Sequence, residues 1–135
     1  MTLMPSRAWP AQPEEGEKTR ILIIDDNKDL ATSLARLLRI LGHDVQVVHD
    51  GHQGIEAARS YRPRVVLLDI GLPKLDGYQV ARTLRQEGFH DTIIIALSGY
   101  GQEEDRRRSR EAGMNHHLTK PVDVRTITQL INSPG

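Results

Sequence analysis

The chain has 135 residues and a mass of 15.2 kDa, which is the size of one domain. Its 18 basic and 18 acidic residues cancel, so no basic surplus favours nucleic acid or an anionic membrane as a partner. The absence of cysteine excludes disulfide bonds, thiolate metal sites and cysteine nucleophiles. No apolar run is long enough to span a membrane and no signal peptide is visible, so we expect a cytoplasmic protein without membrane insertion.

Residues 1–19 differ in composition from the rest of the chain. They contain three of the seven prolines, followed by a short charged stretch. Such a segment buries little apolar surface, so we expect it to be a disordered segment or a linker. Docking of this segment on a partner through Trp9 is the alternative. The folded domain is therefore predicted to span residues 20–135.

From Arg20 onward, apolar strands alternate with helical patterns five times. The predicted strands are 21–24, 45–48, 65–68, 93–97 and 116–119. Helical spacing predicts helices at 30–41, 55–58, 78–85, 102–112 and 124–131. Gly42 stands where a glycine commonly terminates a helix. Strict alternation of strand and helix predicts a parallel sheet with helices on both faces.

The composition of the strands indicates their order in the sheet. The first, third and fourth strands are uniformly apolar, which is typical of central strands in a parallel sheet. The second and fifth strands mix polar and apolar residues, which is typical of edge strands. The order 2-1-3-4-5 satisfies both conditions, so we predict an α/β protein with a five-stranded parallel sheet of that order.

Ionisable or hydroxyl residues stand where four of the five predicted strands end. They are Asp25, Asp26, Asp69, Ser98 and Lys120. Parallel strands place their carboxyl ends on one edge of the sheet, and ligands bind there where the strand order reverses. Each residue alone has a simpler explanation, because Asp25 and Asp26 can cap a helix and the others can belong to ordinary loops. Their joint placement predicts one shared pocket.

Three carboxylates in one pocket repel one another unless a cation lies between them. Mg²⁺ suits such a pocket, because it prefers oxygen ligands and usually takes one or two carboxylates with waters and a phosphate. We expect Asp26 and Asp69 to coordinate Mg²⁺ directly and Asp25 to act through a bound water. The backbone carbonyl of Gly71 is a further predicted ligand.

A carboxylate beside Mg²⁺ can attack phosphorus and form an aspartyl phosphate, and Asp69 is central in this sheet edge. Lys120 would balance the charge of the transferring phosphoryl group, and the Ser98 hydroxyl would donate to one of its oxygens. A Mg²⁺-dependent phosphatase using an aspartyl phosphate is an alternative. Such enzymes need a second carboxylate two residues past the nucleophile, and Gly71 stands there instead.

Four stretches resemble the receiver domain of two-component signalling, the family of the chemotaxis response regulator. They are ILIIDDN at 21–27, VVLLDIGLPKLDGYQVARTLR at 65–85, IIALSGYG at 94–101 and HHLTKPVD at 116–123. The resemblance runs from about Arg20 to the end of the chain. It implies the flavodoxin-like, three-layer (βα)5 fold.

The resemblance implies a signalling switch and not an enzyme in the ordinary sense. Asp69 would accept a phosphoryl group from a histidine kinase or a histidine phosphotransfer protein, and slow hydrolysis would end the signal. The implied Mg²⁺ ligands are Asp25, Asp26, Asp69 and the carbonyl of Gly71, and the implied phosphoryl-sensing residues are Ser98 and Lys120. The family also implies a cis peptide bond before Pro121. A degenerate receiver that binds partners without phosphorylation is the alternative.

One position departs from the family pattern. Receivers usually carry Tyr or Phe three residues before the lysine, and here that position is His117. Either this switch residue is altered, or Tyr100 takes part of its role.

The signal would change the surface around the fourth helix, fifth strand and fifth helix. The polar stretch 102–110 in this region favours a solvated helix face over a partner contact. We expect a single-domain regulator or the receiver of a larger protein, such as a hybrid histidine kinase.

Overall fold

Five parallel strands form one sheet in the computed structural model, which describes residues 19–99 and 101–132. The strands are β1 (Arg20–Ile24), β2 (Asp44–Val48), β3 (Val65–Asp69), β4 (Ile93–Ser98) and β5 (His116–Thr119). The helices are α1 (Lys28–Ile40), α2 (Gly51–Tyr61), α3 (Gly77–Gln86), α4 (Glu103–Glu111) and α5 (Val124–Asn132). The sheet order β2-β1-β3-β4-β5 confirms the predicted order, and the fold class is confirmed with it.

Two sequence predictions concern residues that the structure does not describe. The segment predicted as disordered or a linker, residues 1–19, lies outside the described residues except for Thr19. The boundary between this segment and the domain therefore stays a prediction. Tyr100, the second predicted switch residue, also lies outside them. Within the described part of the chain, no helix combines the length and apolar character needed to cross a membrane.

The apolar residues of the sheet pack in two layers because neighbouring residues of a strand point to opposite faces. Ile21 and Ile23 of β1 belong to the core formed with α1 and α5. Leu22 and Ile24 of the same strand belong to the core formed with α2 and α3. All four side chains are fully buried. The sheet therefore forms the middle of three layers.

Side chains at the helix ends fix where the helices begin and stop. The Asn27 side chain accepts a hydrogen bond from the Leu30 amide and caps α1 at its N-terminus. Gly42 has a φ of +99° and follows the C-terminus of α1, as the sequence predicts. Asp76 and Gln79 form a reciprocal capping box at the start of α3. These caps set the loops that follow β1 and β3.

Arg85, near the end of α3, joins segments at the sheet edge opposite the strand ends that carry the site. Its guanidinium donates to the carbonyl oxygens of Phe89, Thr92 and Gly113 and to Oδ1 of Asn115. Burial lowers the pKa of Arg85 below its ordinary value. One half-buried side chain therefore connects α3 to the segments before β4 and β5.

Candidate functional site

The polar residues predicted at the strand ends come together at one edge of the sheet. Asp25 and Asp26 follow β1, and Lys120 follows β5. Asp69 and Ser98 are the last residues of β3 and β4, because their backbones still pair with Leu97 and Thr119. The backbones of Asp69 and Ser98 are thus held by the sheet itself and not by a loop.

The three aspartates form a compact acidic cluster. Asp25, Asp26 and Asp69 each place a carboxylate oxygen within 4.8 Å of the others. Asp25 and Asp69 are only 1% and 7% exposed, whereas Asp26 is exposed to solvent. Carboxylate oxygens at this spacing, open to solvent on the Asp26 side, suit a hard divalent cation that keeps some of its waters. The donor set therefore fits Mg²⁺.

Asp25 is held from both its side chain and its backbone. Its Oδ1 accepts the Asn27 amide at 2.9 Å, and its own amide donates to the carbonyl of Val48 at 3.1 Å. Nδ1 of His49 lies 3.1 Å from the carbonyl oxygen of Asp25. The residues after β1 are therefore tied to the end of the neighbouring strand β2.

Asp69 is held by the loop that follows it. Its Oδ1 accepts the amide of Gly71 at 2.9 Å. A Cβ atom at Gly77 would lie 2.7 Å from the Asp69 carbonyl oxygen and 2.6 Å from the Cα of Ile70, so only glycine lets α3 begin so close to this loop. The Gly71 carbonyl remains a predicted ligand.

The protonation of Asp69 reflects its surroundings. Burial raises the pKa of Asp69 to about 6, and the neighbouring charge of Asp25 acts in the same direction. The Gly71 amide and the Lys120 ammonium oppose this rise. A bound dication would favour the ionised form for the same reason that Lys120 does.

Lys120 provides the positive charge of the site. Its Nζ lies 3.1 Å from Oδ2 of Asp25 and 3.7 Å from Oδ1 of Asp69. Its amide donates to the carbonyl of Ser98 at 2.7 Å, which extends the pairing of β4 and β5 by one bond. The Lys120–Pro121 peptide bond is cis. The hydrogen bond to Ser98 and the contacts with the two aspartates place this side chain at the carboxyl ends of the strands.

His117 bridges two hydroxyl groups. Its backbone pairs with Ala96 of β4, and its Nε2 lies 2.7 Å from Oγ of Ser98. Its Nδ1 lies 3.0 Å from Oγ of Ser109 on α4. The predicted switch position thus contacts the predicted phosphoryl-sensing hydroxyl directly.

Two contributors to this region, His49 and Ser109, were not predicted from the sequence, although each had a signal there. His49 follows the last residue of β2, so the predicted strand order already places it beside Asp25. Ser109 is the small uncharged residue within the charged stretch QEEDRRRSR, and a helix packed on the sheet must turn some such residue inward. Ser109 is the buried residue of α4.

The family comparison agrees with this geometry. The family model described as the response regulator receiver domain matches residues 21–132. The chain therefore belongs to the receiver domain family of two-component response regulators. Receiver domains are signalling switches that interact with histidine kinases or phosphotransfer proteins and bind Mg²⁺ at an acidic pocket.

Curated relatives of two sizes resemble the chain. Protein PilH of Pseudomonas aeruginosa is 36% identical over 115 residues, which cover 84% of this chain and 95% of PilH. Response regulator MprA of Mycobacterium ulcerans is 37% identical over 108 residues, which cover 80% of this chain and 46% of MprA. The chain thus spans nearly all of PilH but less than half of MprA.

Solved structures share the fold. A CheY-like receiver domain protein from Methanospirillum hungatei has a TM-score of 0.79 and 25% identity, covering 85% of this chain and 91% of its own. A Burkholderia pseudomallei response regulator with a phosphorylated aspartic acid and a calcium ion has a TM-score of 0.79 and 25% identity, covering 84% and 66%. A yeast receiver domain, solved with its histidine phosphotransfer protein, has a TM-score of 0.79 at 24% identity, covering 84% and 86%.

Proposed function

We propose that Asp69 is the phosphoacceptor of this receiver domain. Its donor would be the phosphohistidine of a histidine kinase or a histidine phosphotransfer protein. The observation that carries the proposal is the position of the Asp69 carboxylate, which is buried at the centre of the sheet edge and faces Lys120 at 3.7 Å. Asp25 and Asp26 complete the acidic cluster beside it.

The transfer is a substitution at phosphorus. A carboxylate oxygen of Asp69 forms the new O–P bond, the P–N bond to the donor histidine breaks, and the leaving nitrogen keeps the electron pair. Lys120 stabilises the negative charge that spreads over the transferring phosphoryl oxygens. The Gly71 amide holds Asp69 in place during the attack, since it already donates to Oδ1.

The acidic cluster would hold Mg²⁺ through Asp25, Asp26, Asp69 and the carbonyl of Gly71. When bound, Mg²⁺ supplies positive charge that allows a dianionic phosphoryl group to approach three carboxylates. The mixed burial of the cluster supports this assignment, because two ligands are fixed in the interior while Asp26 faces solvent. Metal and Lys120 together would balance the charge of the phosphorylated state.

The phosphorylated state would be read at the surface around α4, β5 and α5. The new phosphoryl group attracts the Lys120 ammonium and the Ser98 hydroxyl, which lie at the ends of β5 and β4. Slow hydrolysis of the aspartyl phosphate would return the domain to its resting state.

We further propose a cytoplasmic location, which is typical of receiver domains. The Burkholderia and yeast structures support both the acceptor and the type of donor.

Intact mass spectrometry tests the proposal. The protein is incubated with Mg²⁺ and acetyl phosphate, and separately with a phosphorylated histidine kinase. We expect one phosphoryl adduct on the wild type and none on Asp69→Asn. Asp91→Asn is the matched control, because Asp91 is exposed and precedes β4 at the opposite edge of the sheet.

The same experiment can contradict the proposal in two ways. An adduct that persists in Asp69→Asn would place the acceptor elsewhere. The lack of an adduct from either donor would favour a domain that binds its partners without phosphorylation. Omission of Mg²⁺ should abolish the adduct on the wild type if the acidic cluster holds the metal.

A further inference from the structure

Two hydrogen bonds through His117 link the end of β4 to the interior face of α4. His117 lies between the hydroxyl groups of Ser98 and Ser109, with its Nε2 at 2.7 Å from the first and its Nδ1 at 3.0 Å from the second. The Ser109 hydroxyl also donates to the carbonyl of Asp105, one turn earlier in α4, at 2.9 Å. The contacts form one continuous path from β4 through β5 to α4.

We assign the direction of each bond from the protons available along this path. A serine hydroxyl has one proton, and that of Ser109 is directed to the carbonyl of Asp105. Ser109 must therefore accept from His117, which places a proton on Nδ1. A neutral imidazole carries one N–H group, so Nε2 is an acceptor and receives the hydroxyl proton of Ser98.

Phosphorylation of Asp69, a step that rests on the proposed function, requires the Ser98 hydroxyl to donate its proton to the phosphoryl group and not to His117. Phosphoryl oxygens on an aspartyl phosphate are acceptors at neutral pH, so a hydroxyl that contacts them must donate. Ser98 would then turn a lone pair toward His117. Two lone pairs at 2.7 Å repel each other unless Nε2 carries a proton.

We propose that His117 is a positioning residue whose Nε2 accepts a hydrogen bond from Ser98 in the resting state and donates one to Ser98 when Asp69 is phosphorylated. The proton on Nε2 arrives by exchange with water, either from Nδ1 of the same ring or from solvent, and the ring donates to Ser98 in both cases. When the proton comes from Nδ1, Nδ1 becomes an acceptor and the Ser109 hydroxyl turns from the Asp105 carbonyl to donate to it, so the reversal reaches α4 without a swing of the His117 side chain.

The position of α4 makes it sensitive to such a change. Ser109 is the buried residue of this helix. The next helix residue toward the N-terminus, Arg108, packs its guanidinium 4.2 Å from the centre of the Tyr78 ring of α3. A shift in the bonding of Ser109 therefore acts at the inward face of a helix whose other residues are mostly solvated.

Nitrogen NMR of the histidine rings tests the inference directly. Long-range ¹⁵N–¹H correlation spectra distinguish a proton on Nδ1 from one on Nε2, and His117→Gln assigns the ring among the six histidines. The phosphoryl probe is beryllofluoride with Mg²⁺. We expect the Nδ1–H form before the probe is added and a ring with Nε2–H at saturation.

The control and the contrary outcomes separate this inference from the proposed function. His116→Gln should leave the His117 spectrum unchanged, because His116 is the neighbouring residue of β5 and points to the other face of the sheet. Bound ¹⁹F signals that disappear in Asp69→Asn show that the probe occupies the acceptor. Bound probe with an unchanged His117 ring overturns the inference alone, whereas no bound probe overturns the proposed function and the inference with it. A proton on Nε2 before the probe is added also overturns the inference.

Discussion

The ammonium of Lys120 lies closer to Asp25 than to Asp69, at 3.1 Å against 3.7 Å. One cation therefore neutralises two carboxylates that are almost inaccessible to water. Removing one member of a buried ion pair leaves the remaining charges without compensation, and this is more costly than the pair itself is stabilising. A phosphoryl group on Asp69 would add negative charge beside Lys120 and draw the ammonium away from Asp25.

Lys120→Ala should therefore lower the free energy of unfolding and make the stability of the protein depend more strongly on Mg²⁺. We expect the free energy of unfolding without Mg²⁺ to fall by about 2 kcal/mol, because two buried carboxylates lose their shared cation. Saturating Mg²⁺ should restore part of this loss, so the rise in Tm on adding Mg²⁺ should be larger in the variant than in the wild type. Thermal unfolding with and without MgCl₂ measures both effects.

Lys28→Ala is the control for charge alone, since Lys28 is exposed at the start of α1. Its effect on stability should stay within about 0.5 kcal/mol. An equal Mg²⁺ response in wild type and Lys120→Ala would contradict the shared role of this ammonium.

The raised pKa of Asp69 predicts a pH-dependent stability in the absence of metal. The folded protein binds the Asp69 proton more tightly than the unfolded chain, because burial raises the pKa to about 6 from an ordinary value of 3.8. Ionisation of Asp69 therefore costs folding free energy above pH 6, and this cost disappears as the pH falls toward the unfolded value. We expect Asp69→Asn to be more stable than the wild type by about 1–2 kcal/mol at about pH 7.5.

Urea unfolding at several pH values between about 4 and about 7.5 checks the sign of the stability difference between Asp69→Asn and the wild type. The stability difference between Asp69→Asn and the wild type should shrink steadily on acidification and vanish below about pH 4. With Mg²⁺ present, the wild type should gain stability above pH 6 and Asp69→Asn should gain less. A difference that grows on acidification would mean that the site favours the ionised form of Asp69 without metal.

The sheet order and the clustering of the polar residues followed from the sequence because both depend on strand ends. Uniformly apolar strands identified β1, β3 and β4 as central, and the residue after each apolar run had to fall on one edge. The contacts of Arg85 did not follow, because its sequence position marks only a basic residue in the last turn of α3. Its partners lie on the segments before β4 and β5, and the distance of these segments from α3 depends on tertiary packing and not on residue spacing in the sequence.

Arg85→Met tests how much this unpredicted network contributes. The carbonyl oxygens of Phe89 and Thr92 would lose their donor, so we expect the free energy of unfolding to fall by about 2–4 kcal/mol. Phosphorylation of the folded fraction should persist, since Arg85 lies at the edge of the sheet opposite the site. Urea unfolding and intact mass measure the two properties.

Arg82→Met is the matched control, because Arg82 is an exposed arginine of the same helix. It should change the free energy of unfolding by less than about 0.5 kcal/mol. Loss of phosphorylation in correctly folded Arg85→Met would show that the network also positions the site.

The directions assigned to the hydrogen bonds of His117 predict the effect of changing Ser109. In Ser109→Ala, Nδ1 loses the oxygen that accepts its proton, so the resting ring should no longer favour the Nδ1–H form. We expect signals of Nε2–H to appear without any phosphoryl probe, while stability falls by only about 1 kcal/mol.

Ser109→Thr retains a hydroxyl at the same position and should restore the Nδ1–H form, which separates the hydrogen bond from a general effect on packing. The measurement is the same ¹⁵N–¹H correlation spectrum, recorded for the two variants and the wild type. Identical His117 rings in wild type and Ser109→Ala would mean that Ser109 does not set the tautomer. In that case the contact between Nδ1 and Ser109 would not determine how Nε2 meets Ser98 in the resting state.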